Sequence, residues 1–173
     1  MVMNRSKTSV VCDAGPIIHL DELGCIYLLD DFEKVLVPNV VHNEVLYHRP
    51  HAFEDTIIQN LEFLNNFPED EYLSSIFRIF SLDAGEKAAL AVLSNNPDFI
   101  FLTDDAAARL ASSKLDVKVH GTLGILIRSI RREIMPPDKV LEILYTLRTN
   151  STLHIKPSLL QKAIDRIRYE FCL

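Results

Sequence analysis

The chain has few cysteines, no long apolar run and no excess of positive charge, and each shortage removes a class of protein. Its three cysteines, Cys12, Cys25 and Cys172, are odd in number and lack metal-type or redox-type spacing. A disulfide framework and a zinc cluster are therefore not expected, and idle thiols in a reducing compartment are. No apolar stretch approaches the roughly 20 residues that span a bilayer. The N-terminal "MVMNRSKTS" is too short and polar for a secretory signal, so a cytoplasmic address is expected. Basic residues number 18 against 24 acidic, a net charge of −6, which opposes a grip on nucleic acid by bulk electrostatics. Internal repeats and low-complexity tracts are missing, and no serine or cysteine stands in a nucleophile setting.

What remains is an ordinary globular composition, 48% apolar and 24% charged over 173 residues. That suits one domain, or one domain with a helical extension. Short β-branched runs at 9–13 ("SVVCD"), 34–38 ("KVLVP") and 98–103 ("DFIFLT"), with a weaker one at 117–121 ("VKVHG"), read as strands. Their unbroken apolar character predicts burial on both faces, as in a parallel sheet. Helical spacing fills the intervals: "GPIIHLDELGCIYLL", "PNVVHNEVLYH", "DAGEKAALAVLSNN", "DAAARLASSKL" and "GTLGILIRSIRRE". "AFEDTIIQNLEFLNNF" and "EDEYLSSIFRIF" read as a helical pair between the second and third strands. Past "MPP", the stretches "DKVLEILYTLRT" and "SLLQKAIDRIRYEF" read as a helical hairpin. The expected fold is α/β, a three-layer α/β/α sandwich around a parallel sheet of four or five strands with a C-terminal helical extension. A domain at 1–135 would carry the hairpin 136–173 packed on it.

In an open parallel sheet, ligands bind beyond the carboxyl ends of the strands. Asp13 ends the first strand there, and Asp104 and Asp105 end the third. Glu44 lies on the helix after the second strand, and Glu86 opens the helix before the third, which starts at the same edge. Five acids could thus share one crevice, where repulsion and desolvation would force protons onto some unless a cation compensated. Hard oxygen donors suit Mg²⁺ or Mn²⁺, which activate water and neutralise charge on a phosphodiester. Each acid also has a plainer reading. Asp83 with Glu86 in "DAGE" fits an N-cap and its reciprocal acid, Asp104 or Asp105 fits a cap of the following helix, Glu44 fits a solvated helix residue and Asp13 a strand-end turn.

The histidines do not form a site: His48 and His51 flank Pro50 without a further ligand, and His19, His42, His120 and His154 read as surface residues or satisfied partners. "HGTLG" offers backbone amides to a phosphate at a helix start, or simply close helix packing. Lys87, Arg109 and Lys114 follow the acids on adjacent helices, and Arg128, Arg131 and Arg132 crowd one helix end. The latter three fit phosphate contacts or a favourable helix C-terminus. An aspartyl-phosphate receiver fits less well, lacking the strand-end lysine and threonine.

"VVCDAGPIIHL", "VPNVVHNEV", "LDAGEKAALAV" and "FLTDDAAARLASSKLDVKVHGTLGIL", in this order, resemble the PIN-domain superfamily, particularly a prokaryotic branch close to the VapC-type toxins. The resemblance covers residues 9–133. It implies a metal-dependent endoribonuclease whose acids fall on Asp13, Glu44, Glu86 and Asp105, with Asp104 as a further candidate metal ligand. Many relatives carry aspartate at the place of Glu86. Thr103 takes the place of a pocket-lining hydroxyl, and Lys87 and Arg109 are candidate substrate contacts. Mg²⁺ or Mn²⁺ would be the cofactor, water the nucleophile, and Glu44 a candidate to deprotonate it. Implied partners are RNA, a small antitoxin and a second copy of the chain, docking on apolar positions of the expected helices between 52 and 80. A catalytically silent module that binds protein or RNA is the rival reading. Setting the five acids aside leaves 18 basic against 19 acidic residues, which removes most of the charge objection.

Overall fold

The computed structural model describes residues 8–54, 61–65 and 68–172. Five strands, β1 (Val10–Cys12), β2 (Val35–Pro38), β3 (Leu61–Leu64), β4 (Ile100–Leu102) and β5 (Val119–His120), form one parallel sheet in the order β3-β2-β1-β4-β5. Among the described residues, eight α-helices surround it: α1 (Ala14–Glu22), α2 (Asn39–His48), α3 (Glu71–Ile79), α4 (Ala84–Ser94), α5 (Ala106–Lys114), α6 (Thr122–Arg131), α7 (Pro137–Asn150) and α8 (Pro157–Phe171). The α/β sandwich with C-terminal helices is the expected one.

The unbroken apolar runs have the anticipated cause. Val10, Cys12, Val35, Val37, Ile100 and Leu102 point into one core with α1, α2, α6, α7 and α8. Val11, Leu36 and Phe101 point into a second, with α3, α4 and α5. Side chains alternate between faces along a strand, so a strand covered on both sides is apolar throughout.

Two helical expectations are corrected. The stretch "AFEDTIIQNLEFLNNF" does not form a helix through its end: Leu61–Leu64 is β3, paired with β2 from Val35↔Leu61 to Pro38↔Leu64. Residues 55–60 and 66–67 of that stretch lie outside the described residues. Its spacing suits a helix, but the open edge of β2 offers a full ladder of backbone partners, and tertiary context overrides so weak a local preference. The helix from Ala14 also stops at Glu22, because Gly24 turns the chain with φ +65° before a short 3-10 helix, Ile26–Asp31. Glycine adopts that conformation without a Cβ penalty.

The C-terminal hairpin is continuous with the sheet's packing. Val140, Leu141, Leu144, Ile164 and Ile167 belong to the same apolar cluster as β1 and β2. Glu22 of α1 also holds the α7–α8 connection, accepting hydrogen bonds from the Ser151 hydroxyl and the Thr152 amide, both at 2.8 Å. Leu144 is 1% exposed. Leu144→Ala should cost about 2–5 kcal/mol and shift one cooperative urea transition that includes the sheet. A sheet transition left in place would show that the hairpin folds separately.

Candidate metal centre

Helices that start at the carboxyl edge of this sheet must satisfy their first amide groups, and for all but α2, which begins after Pro38 without a side-chain cap, the chain does so with acids. Asp13 follows β1 and caps α1, its Oδ1 accepting the Ala14 amide at 2.8 Å. Asp105 follows the end of β4 and caps α5 by accepting the Ala108 amide at 2.8 Å. Asp83 caps α4 in a capping box: it accepts the Glu86 amide at 2.9 Å, and Glu86 accepts the Asp83 amide at 2.8 Å. The capping expected of Asp83 and Glu86 is therefore present, and so is capping by one acid of the Asp104–Asp105 pair.

Capping and gathering turn out to be compatible. Thr103, fully buried, donates its hydroxyl to Asp13 Oδ2 at 2.9 Å and accepts the Asp105 amide at 3.1 Å, so it joins the first acid to the last. Burial pushes the Asp13 carboxyl up to about 6, against the bonds from Ala14 and Thr103, and the charges of Asp83 and Glu44 push it further. Burial and then Asp83 raise Glu44 as well. Glu86 is pushed up to about 7 by burial, by Asp83, and by a carboxyl–carboxyl hydrogen bond to Asp105. Asp13, Glu44, Glu86 and Asp105 thus feel a common field, to which Asp83 contributes. Sequence reasoning gave Asp83 only its cap, although a cap at this edge necessarily faces the other acids.

Asp104 points elsewhere. Its Oδ2 lies 2.9 Å from His19 Nδ1 and accepts the Thr122 hydroxyl, while its Oδ1 accepts the Thr122 amide at 2.8 Å. Gly121 gives α6 no capping side chain, and Asp104 supplies the missing cap from another loop. A Cβ on Gly121 would come within 2.5 Å of Asp104 Oδ1, so glycine is what lets the carboxylate approach. Burial acts to raise Asp104, but the bonds from His19 and Thr122 outweigh it and hold the carboxyl below its ordinary range.

The basic candidates divide similarly. Arg109 donates Nη1 to the Thr103 carbonyl at 2.9 Å and so stands at the rim of the acids. Lys87 lines a cleft with Glu69, Ser74 and Arg78 on the α3 side of α4. Arg128 and Arg132 both bind Asp31, with Arg128 Nη2 at 2.8 Å and Arg132 Nε at 2.9 Å.

Carboxylates alone, some raised by burial and further by mutual repulsion, form a donor set that suits a hard divalent cation. Among the described residues, no three candidate ligands already surround one point. Asp13, Asp83, Glu86 and Asp105 each spend an oxygen lone pair on a backbone amide. Each carboxylate oxygen keeps a second lone pair, and no hydrogen bond among the described residues engages Glu44.

A family model described as PIN domain matches residues 9–168. No curated protein and no solved structure matches the chain.

Two outcomes follow from the carboxyl environments. Asp13 and Glu86 titrate above their unfolded values of about 4, so between about 4 and 7 the folded state holds more protons than the unfolded one. Without metal, their contribution therefore weakens as pH rises through that window. Glu86→Gln keeps an oxygen for the Asp83 amide and offers Asp105 a donor. It should raise the metal-free melting temperature at pH 8 by about 2–4 °C, the effect of roughly 1 kcal/mol in a chain of this size, as circular dichroism would record. Asp104→Ala should instead lower stability by about 2–3 kcal/mol in urea titrations, by orphaning a helix amide and its charge-assisted bonds. The Asp104 contribution is present above its unfolded pKa and is lost as pH falls through its depressed folded value.

Proposed function

The chain belongs to the PIN-domain family, and on that premise we propose that it is a divalent-metal-dependent endoribonuclease with Asp13, Glu44, Glu86 and Asp105 as its metal-binding and catalytic acids. The observation that carries this reading is the shared field of acids from four separate elements: burial is the main cause that raises Asp13 and Glu86, and Asp83 and Glu44 push Asp13, as Asp83 and Asp105 push Glu86, in the same direction. A fold gains nothing from such repulsion, whereas a cation relieves it.

Mg²⁺ or Mn²⁺, when bound, would supply water activation and neutralise charge growing on the phosphodiester. Asp13 and Asp105 would hold it from the ends of β1 and β4, with Thr103 fixing their separation. Glu86 would join them on giving up its proton. Glu44 is the acid free of capping duty and is suited to take the proton of the attacking water. Arg109, anchored on the Thr103 carbonyl, would meet the flanking phosphate. Asp104 supports the site by fixing α6 against α1. A role as the toxin of a toxin-antitoxin pair, with a small protein inhibitor, extends this proposal on the strength of the sequence resemblance.

One observation favours a second reading, a silent module that binds protein or RNA: most of the acids have structural employment as caps. Cleavage of a fluorescent single-stranded RNA decides between them. The nuclease should cut with Mn²⁺ or Mg²⁺ and stop on chelation. Asp13→Asn and Asp105→Asn should each slow it by about 100-fold or more, with the fold retained because asparagine is also a good N-cap. Wild-type protein that neither cuts RNA nor gains thermal stability from Mn²⁺ would establish the silent module instead.

A further inference from the structure

The Asp104 carboxylate accepts from three donors, and one of them does nothing for the helix that Asp104 caps. The amide and hydroxyl of Thr122 satisfy the start of α6. The third donor, Nδ1 of His19 at 2.9 Å, comes from α1. An ionised carboxylate only accepts, so it is Nδ1 of the imidazole that carries the proton. Both side chains are largely buried, and a bond in such a place is little screened by salt. Gly15, one turn before His19, brings the α1 backbone up to the same carboxylate. A Cβ there would already lie in contact, 3.6 Å from His19 Cε1 and 3.9 Å from Asp104 Oδ2, so α1 packs directly on the loop after β4.

What this bond joins is the two segments that carry the first and last acids of the cluster. Asp13 is the cap of α1, and the loop that holds Asp104 ends in Asp105, the cap of α5. One connection between them is Thr103, which donates to Asp13 Oδ2 and accepts the Asp105 amide. The bond from His19 is a second, independent connection. The contacts therefore close a ring, from Asp13 along α1 to His19, across to Asp104, and back through Asp105 and Thr103. A single link lets one acid swing away from the other, whereas a ring does not. Ile17 and Leu20 also hold α1 on the sheet by burial, but burial is non-directional. A hydrogen bond to a carboxylate has a preferred length and angle, and it fixes where along the sheet α1 stands.

We propose that His19 is a positioning residue of the metal centre: by tying Asp104 to α1 it fixes the separation of Asp13 and Asp105, and so sets the affinity for a divalent cation that it does not itself touch. This role rests on the metal-centre reading of the acids. Partners that orient metal ligands from outside govern affinity by about 10- to 100-fold. His19 acts through the backbone of a neighbouring residue, which places its effect toward the lower end.

The test reads Mn²⁺ binding to the full-length protein by isothermal titration calorimetry, alongside metal-free stability in urea. His19→Leu, which keeps the bulk and removes the donor, should weaken Mn²⁺ binding about 10-fold. His19→Asn, whose amide nitrogen takes the place of Nδ1, should bring the affinity back to within about threefold of the wild-type value. Leu144→Ala, in the core under the α7–α8 hairpin, should lower stability and leave the Mn²⁺ affinity of the folded protein unchanged. A His19 that served the fold alone would behave in the same way. Where His19→Leu does not fold, His19→Gln, whose amide lies one bond beyond the Nδ1 position, takes its place with the same expected loss. The proposal is overturned if the donor-less variant binds Mn²⁺ as wild type does, or if His19→Asn binds as weakly as His19→Leu. Wild-type protein that takes up no Mn²⁺ would reject the metal centre and the positioning role with it. Mn²⁺ binding that follows the variants as described, without any cleavage of RNA, would retain the positioning role and reject the nuclease.

Discussion

A parallel sheet forces the helices that follow its strands to begin at one edge, and a helix beginning there needs acceptors for its first amides. In this chain that need is met by carboxylates at α1, α4, α5 and α6. Asp13, Asp83 and Asp105 cap α1, α4 and α5, so three acids from distant parts of the sequence are brought together by backbone requirements alone. The positive ends of the helix dipoles offset part of their repulsion. The remainder adds to burial, the main cause, in raising the carboxyl groups of Asp13 and Glu86. Capping and metal binding are therefore not rival accounts of these residues: the cap orients the carboxylate and leaves the lone pairs with which it could meet an ion.

The neighbouring acids Asp104 and Asp105 show how finely that edge is divided. Asp105 caps the helix that follows it directly, while Asp104 turns to the opposite side and caps α6, eighteen residues further on, with His19 of α1 as its second partner. One supports the acid cluster and the other locks the two helices that border it. Their roles diverge accordingly. Bonds from donors hold Asp104 low, whereas the acid at Asp105 helps push Glu86 up. Charge repulsion between adjacent acids is avoided by pointing them apart, which requires Gly121 where any Cβ would block the way.

Features set by short-range chemistry are legible in the sequence. The apolar runs give β1, β2, β4 and β5, and "DAGE" gives the capping box of α4, because the causes lie within a few residues. Features set by partners far along the chain are not. Leu61–Leu64 becomes a strand because β2 has an open edge, and nothing in "LEFL" records that edge. Asp104 reads as one of a metal-binding pair because its cap target, Thr122, and its histidine, His19, are distant in sequence. Asp83 reads as a cap and nothing more, since its nearness to Glu44 depends on how α2 and α4 pack. The hairpin reads as an appendage because helical spacing alone does not reveal that Leu144 and Ile167 complete the core under β1.

The net charge of −6 misleads for a related reason: it sums over groups that the fold separates. Carboxylates collect where helices begin, and arginines collect toward the end of α6, where Arg128 and Arg131 face the negative end of the dipole. The same polarity of α6 thus places Thr122, whose amide needs a carboxylate, beside the acids, and the guanidinium groups about two turns away. Asp31, just before the start of β2, binds two of the arginines at once, at the edge of the sheet opposite the acids. Separated charges of this kind create a field directed along the helix.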